Sequence, residues 1–407
     1  MLKRGLVLVV LLGSLADYGW RAYRLVTQVG ISDFQDPYVG AQLWFHGENP
    51  YDRTRVREKW KDDTGVQPIS EIKTVYPTTT YLLLSPFALF GYRTALAIWL
   101  AVQLTSVCLI AFLIKTWRWF SDSLLSTLAL VSAYSPFHTA LHGANCSPLC
   151  MALGLVSCLM KNEKAAGTML AIAICIKPQI AIWFLLFFVA RRKWVAFFTC
   201  LASGILVTAI SLGPYLTRLP DLAKAYRNQY SHAFEQGASG DYTRDKSDRL
   251  SMVNLQPAVS HLSRSKAVAN GVAVLAFCVL AGWWFYSARN SEDLLLVLAS
   301  LVAFSILPIY RRTNDLGLFV LPLVWGIRNL RRWSGSFVAI CAALFFVPIN
   351  SILARFSIYG ALSDIQSWLV VGTAVVLVLA LWKSQITARF LGSAQFRPTS
   401  ALLSTHE

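Results

Sequence analysis

Long apolar runs separated by short polar turns carry most of this chain. A helix that crosses a bilayer needs about 20 apolar residues. Runs that qualify or come close lie at 5–20, 94–114, 122–141, 146–160, 165–176, 180–190, 194–212, 267–287, 293–309, 314–327, 335–352 and 365–382. One further apolar stretch, 77–91, decides the topology. If it crosses, Lys115, Arg118 and the run Arg191-Arg192-Lys193 fall outside, against the tendency of short cytoplasmic loops to carry Lys and Arg. If it lies half-embedded on the outer face, these clusters become cytoplasmic together with Lys161, Lys164, Arg328, Arg331, Arg332 and Lys383. The pattern thus predicts an all-α polytopic membrane protein of roughly twelve transmembrane helices with both ends inside.

The run 165–190 reads as two short spans meeting at Lys177-Pro178-Gln179. A single helix would hold Lys177 near its centre, at a cost of roughly 3 kcal/mol. It would also separate Lys161 and Lys164 from Arg191-Arg192-Lys193 across the membrane. Spans that short must be shielded by neighbouring helices or line a wet cavity. The start, Met1-Leu2-Lys3-Arg4 followed by an apolar run, lacks the small-residue pattern of a cleavage site and is expected to be an uncleaved first helix. Residues 1–391 are expected to form one domain, with 392–407 a short cytoplasmic tail. Two large external loops follow, about 21–93 and 213–266, and three short ones hold His142-Gly143-Ala144-Asn145, Lys177-Pro178-Gln179 and Tyr310-Arg311-Arg312-Thr313-Asn314-Asp315.

Composition supports this reading. The 407 residues are 56% hydrophobic and 14% charged, whereas soluble domains carry about a quarter charged residues. The net charge of +16 is mainly that of cytoplasmic loops, with a share available for anionic lipid headgroups. The basic residues are scattered over short loops with no soluble domain to carry nucleic acid. The cysteines lie mostly inside apolar runs without paired loop spacing, so neither a disulfide framework nor a zinc site is supported.

Most candidate chemistry falls on the external side. Asp33 and Asp36 stand three apart behind Ser32, which is a good helix N-cap, and before Pro37, which suits a helix start. They are either helix-start acids without chemistry or a general base for a sugar hydroxyl. Lys177 is a snorkelling interfacial lysine or a cation for a lipid phosphate. Of Arg311 and Arg312, one can pair with Asp315 and the other is left for a phosphate. His138, His142 and Asn145 flank an outer loop. Two histidines four apart without a nearby acid are a weak metal signal, so hydrogen bonding or substrate contact is expected and no metal is assigned. Trp44, Tyr51, Tyr76 and Tyr81 suit an interfacial aromatic belt and can also stack on sugar rings. No phosphate-binding glycine loop, Ser-His-Asp order or dinucleotide fingerprint occurs.

The pattern Asp33-Phe34…Tyr38…Gly40-Ala41…Gly47…Pro50-Tyr51-Asp52, then Tyr76-Pro77…Pro86, resembles the start of glycosyltransferase family 87. Asn145, Lys177-Pro178-Gln179 and the pair Arg312…Asp315 extend the resemblance over roughly residues 5–330. Pro37, Thr78 and the Asn145 loop depart from the family pattern, which bears on donor and acceptor identity. The resemblance implies a C-superfamily (GT-C) fold whose long first external loop bears juxtamembrane helices. It implies a multi-pass enzyme of the plasma or inner membrane with an extracytoplasmic site and no cofactor or metal. The donor would be a polyprenyl-phosphate sugar, mannose being the best-known case, and the acceptor a lipid or glycan. The reaction would be a single inverting displacement. Asp33 would then be the base, Lys177 and Arg312 would stabilise the departing polyprenyl phosphate, and Asp36 would assist or hold the acceptor. Tyr76, His138, His142, Asn145, Gln179, Arg311 and Asp315 complete the expected substrate-binding set. Two other classes compete: a transporter or flippase of a lipid-linked saccharide, which also needs a polar cavity, and a scaffold subunit of an envelope complex. The two halves look unlike, and the acid-bearing first loop favours the enzyme over a transporter built from related halves.

Overall fold

The computed structural model describes residues 2–28, 32–67, 72, 74–121, 123–235, 241–243, 252–347 and 360–395. Among the described residues the chain is helical and no strand forms; one isolated antiparallel bridge joins Met252 to Arg312. The end of the expected span 335–352, parts of both large loops and most of the tail lie outside the described residues.

Among the described residues five helices are long and apolar enough to cross a membrane: Arg4–Gln28, Tyr92–Thr116, Trp194–His232, Lys266–Ala288 and Asp364–Thr387. They belong to helices α1 (Leu2–Gln28), α5 (Tyr92–Thr116), α12 (Trp194–Leu212) continuing into α13 (Leu219–Phe234), α15 (Lys266–Ala288) and α19 (Gly360–Gln395). Shorter apolar helices fill the bundle, including α6 (Leu124–Ala133), α8 (Ser147–Leu159), α16 (Leu294–Phe304) and α18 (Trp333–Ala343). The α1 helix is peripheral, with 11% of its apolar window inside the protein against 50% for Asp364–Thr387. This is an all-α membrane protein.

Several expected spans are broken, each at an identifiable place. The run 122–141 divides at Tyr134 into α6 and α7 (Ser135–His142), with Pro136 in the first turn of the second piece, where its missing N–H costs nothing. The run 165–190 breaks at Lys177: α9 (Glu163–Ile176) ends there, and α10 (Pro178–Ala181) and α11 (Phe184–Ala190) follow. The run 314–327 is a 3₁₀ turn, Thr313–Phe319, leading into α17 (Val320–Arg328). The stretch 77–91 gives only α4 (Thr78–Leu84) and a 3₁₀ turn, Ser85–Leu89.

Several helix ends are capped by side chains. Asp52 caps α3 (Arg53–Thr64) through the amides of Thr54 and Arg55, at 2.9 and 3.3 Å, and Gly65 closes it in the left-handed region. Asn162 caps α9 and Asp293 caps α16. Ser32, in contrast, does not cap α2 (Gln35–Phe45): the N-cap is Phe34, and the Ser32 hydroxyl lies 2.8 Å from that of Tyr92.

The first loop folds onto the bundle through aromatics. Phe34 stacks on Trp99 at 5.2 Å, Phe87 meets Trp99 edge-on at 5.5 Å, and the Tyr38 hydroxyl is 2.7 Å from Asp63. Burial, then the Asp63 carboxylate, pushes the Tyr38 phenol up, so it stays a neutral donor. Close packing of α2 on α4 requires a glycine at position 40, where a Cβ would collide with the Tyr81 ring. Tyr51 and Tyr81 are accordingly buried inside the protein rather than forming a lipid-facing belt, and Trp44 donates its indole N–H to the Ser211 carbonyl at 2.8 Å.

The helices sort the polar turns into two ends. The Lys193 ammonium reaches the carbonyls of Cys158 and Met160, both at 3.4 Å, and Arg328 reaches the carbonyl of Arg118 at 3.5 Å. The basic turns after α5, α8, α11 and α17 are thus brought together in pairs. A cavity of about 450 Å³ lined by Ile327 to Arg332 belongs to this end. From it, α8, α9 and α17 run to an opposite end where Asn145, Lys177 and Asp315 meet.

Candidate functional site

Lys177 is the centre of the polar end. The α9 helix stops at Ile176 because Pro178 cannot continue its hydrogen bonding, and the break points the lysine inward, 4% exposed. Its ammonium donates to Asp315 Oδ1 at 2.6 Å, to Ser147 Oγ at 2.7 Å and to Asn145 Oδ1 at 2.9 Å. Those are three acceptors for three N–H bonds. Asp315, 6% exposed, sits on the 3₁₀ turn before α17 and also accepts from the Ser147 hydroxyl at 2.6 Å. A buried carboxylate and ammonium this close, each further hydrogen-bonded, hold one another in the charged form.

Asn145 carries this network to Asp33. Its Oδ1 is taken by Lys177 and by the Ser147 amide at 3.0 Å, which fixes the orientation of the side-chain amide. The Nδ2 therefore faces Asp33 and donates to Oδ2 at 2.6 Å. The Asp33 backbone N–H donates to the Gly143 carbonyl at 2.7 Å, so the same outer turn holds the acid by main chain and side chain. The continuous chain is Asp33–Asn145–Lys177–Asp315, with Ser147 bridging its last three members. Four of the expected site residues meet here although they lie up to 282 positions apart.

Tyr76 stands at the margin of the network. The Cys146 thiol donates to its hydroxyl at 3.4 Å. Burial first, then the Cys146 thiol and the Asp33 and Asp36 carboxylates, pushes its phenol well up, and it remains a neutral hydroxyl. Asp36 lies one turn on from Asp33, half-buried in the first turn of α2.

The two arginines differ. Arg311 is 3% exposed and donates to the carbonyls of Gln179, at 2.6 Å, and Ser305, at 3.4 Å, while its Nε is buried without a partner. Gln179 thus enters through its carbonyl, which also accepts from the Trp183 indole at 2.9 Å. Arg312 is half-buried, its guanidinium hydrogen-bonded to the Tyr310 hydroxyl and lying over that ring at 5.8 Å. Asp315 takes Lys177 as its cationic partner. Arg312 donates its backbone N–H to Asp315 Oδ2 at 3.4 Å.

His138 and His142 face α1 instead of Lys177. Asp17 lies between them, 3.3 Å from His138 Nδ1 and 2.8 Å from His142 Nε2. The acid missing from the surrounding sequence is thus supplied from 121 and 125 residues away.

Sequence reasoning also missed Ser147, an ordinary helix-start serine in sequence, and the segment from Met252 to Gln256. Val253 donates its N–H to the Arg311 carbonyl at 3.1 Å and Asn254 Oδ1 accepts from the Arg311 N–H at 3.4 Å. No signal in the order of residues pairs that segment with the arginine turn.

Comparison with curated proteins finds no match, and neither does comparison with solved structures. A family model does match, over residues 74–308. That range contains Tyr76, Asn145, Ser147 and Lys177, and the fold carries Asp33 and Asp315, on either side of it, onto those residues. With more than half of its 407 residues so matched, the chain belongs to glycosyltransferase family 87 and is a membrane glycosyltransferase.

Proposed function

We propose that this enzyme moves a sugar, mannose or another hexose or pentose, from a polyprenyl-phosphate donor to a lipid or glycan acceptor outside the cytoplasm. The observation that carries the proposal is the hydrogen-bonded line from Asp33 through Asn145 to Lys177 and Asp315. It holds one half-buried carboxylate in a fixed orientation beside a cationic turn. In the reaction, Asp33 takes the proton of the acceptor hydroxyl, whose oxygen bonds to the anomeric carbon. The bond from that carbon to the phosphate oxygen breaks with its electron pair, and polyprenyl phosphate departs. A single displacement of this kind inverts the anomeric centre.

Charge develops on the departing phosphate, so fixed cations there lower the barrier. Lys177 is already matched by Asp315 and serves mainly to orient Asn145 and Ser147. Arg312, half-buried, meets the phosphate, with the buried charge of Arg311 behind it. Asp36 and Tyr76, beside Asp33, contact the acceptor. The basic turns at the opposite end are assigned to the cytoplasm of a plasma or inner membrane by the bias of Lys and Arg. On this reading the site lies outside, in a GT-C topology of about twelve spans.

The test is transfer in membranes fed labelled polyprenyl-phosphate sugars. Asp33→Asn is expected to lower transfer by about two to four orders of magnitude with protein level unchanged. Full retained activity would remove Asp33 from the role of base. A wild-type enzyme idle with every polyprenyl-phosphate sugar, yet active with a nucleotide sugar, would overturn the donor class.

A further inference from the structure

His138 and His142 stand four residues apart on α7 and therefore present their rings on one face of the helix. Against that face α1 lays Asp17. One oxygen of this carboxylate, Oδ2, lies 3.3 Å from His138 Nδ1 and 2.8 Å from His142 Nε2. One donor atom from each of the three side chains lies within 4.8 Å of the other two. The other carboxylate oxygen, Oδ1, is taken by Arg21 Nε at 3.3 Å, so the carboxylate is braced from behind with Oδ2 turned to the histidines. Tyr18, the neighbour of Asp17, lies 4.3 Å from the His138 ring, centre to centre, and donates its hydroxyl to the Ser132 carbonyl. The rings and the carboxylate are therefore held from several directions.

We propose that Asp17, His138 and His142 form a His2Asp site for a divalent transition-metal ion, zinc above all. Zinc binds imidazole nitrogen and carboxylate oxygen at about 2.0 to 2.2 Å, which puts neighbouring ligand atoms of a tetrahedron about 3.3 Å apart. The two separations to Asp17 Oδ2 already match that spacing within half an ångström. The third separation, between the two imidazole nitrogens, is within 4.8 Å, so an ion entering between them draws the rings together by side-chain movement. Both imidazoles bind neutral, with the proton on the far nitrogen. Three protein ligands leave a fourth position for water. Asp17 belongs to the apolar helix α1, where Arg21 pairs with its Oδ1 and leaves Oδ2 to the histidines. A dication there cancels its charge from inside the protein, on the side away from Arg21.

The consequence is mechanical. His142 is followed directly by Gly143, whose carbonyl holds the Asp33 amide, and two residues later by Asn145, which holds the Asp33 carboxylate. A metal bridging α1 to His142 clamps the turn that orients Asp33. This leverage on catalysis rests on the role proposed for Asp33; the metal site itself does not.

Zinc binding to the full-length protein in detergent tests the site. After chelator treatment, removal of any affinity tag and desalting, the protein is titrated with zinc, and bound metal per chain is measured by elemental analysis. The wild type is expected to saturate near one zinc per chain and to unfold at a higher temperature when loaded. Asp17→Asn and His142→Gln are expected to weaken binding by roughly tenfold or more. The conservative His142→Gln variant guards against a change that merely unfolds α7, since its size-exclusion profile should match the wild type. A wild type that takes up no stoichiometric zinc overturns the proposal. So does a His138→Ala/His142→Ala double variant that binds zinc as the wild type does, because the metal would then lie elsewhere.

Discussion

Lys177 and Arg311 are both buried cations on turns at the same end of the bundle, yet their surroundings differ. Lys177 has a carboxylate at 2.6 Å and two further oxygen acceptors. Arg311 has two backbone carbonyls, a buried Nε without a partner and, among the described residues, no ion pair. An ion whose charge is cancelled within the protein can set the geometry of its neighbours but adds little net field. An ion without an ion-pair partner, which feels the Asp315 carboxylate only at longer range, keeps more of its positive potential for an incoming anion. Two residues that look alike in sequence, as cations beside turns in an apolar chain, thus differ in partners: Lys177 has a carboxylate and Arg311 has backbone carbonyls, which on the proposed mechanism makes the first a strut and the second a source of field.

The sharpest way to break this contrast is to remove each ion in turn. Lys177→Met leaves Asp315 buried without its ion-pair partner, held only by the Ser147 hydroxyl and the more distant charge of Arg311, and should cost about 3 to 5 kcal/mol of stability. Thermal unfolding in detergent reads the loss, and Lys177→Met/Asp315→Leu should recover much of it. A single variant as stable as the wild type would show that Asp315 does not depend on Lys177. Arg311→Met should behave in the opposite sense, with a stability loss under half that of Lys177→Met but transfer slower by about 10² to 10³. Equal rates in the two proteins would make Arg311 another strut. Ser147→Ala sharpens the comparison with the smallest effect, about 1 to 3 kcal/mol, because Lys177 and Asp315 each lose one neutral partner while keeping one another. A loss as large as that of Lys177→Met would place the serine, not the ion pair, at the centre of the network.

How much of this was legible depends on the distance over which each signal acts. The break at Lys177 could be read directly, since a proline following a lysine inside an apolar run conflicts locally with one continuous helix. The all-α architecture followed from the apolar runs in the same way. The division of 122–141 at Tyr134 was missed although Pro136 marks it, because membrane-spanning helices tolerate an interior proline, so its presence alone does not end a span. That Asp33, Asn145, Lys177 and Asp315 share one end follows from the Lys and Arg bias of the loops, and their grouping into one site from the family resemblance; neither comes from periodicity. Periodicity says which residues share a helix face and nothing about which faces meet. Asp17 shows the limit most clearly. It was passed over as part of the first helix, and the histidines were judged to lack an acid, because their shared contact joins chain segments 121 and 125 residues apart. Tyr51 and Tyr81 read as belt residues, yet both are buried in the packing between the first loop and the bundle.

The shortness of α8 and α9 carries a consequence for where the substrate must go. With 13 and 14 residues, each rises only about 20 Å at 1.5 Å per residue, whereas the hydrocarbon layer is about 30 Å thick. Measured from the basic turns, Ser147 and Lys177 therefore sit well short of the far headgroup plane. For the proposed polyprenyl-phosphate donor, the head would then descend toward the acyl region and the glycan would not be lifted into bulk water, and the rate of transfer should track bilayer thickness.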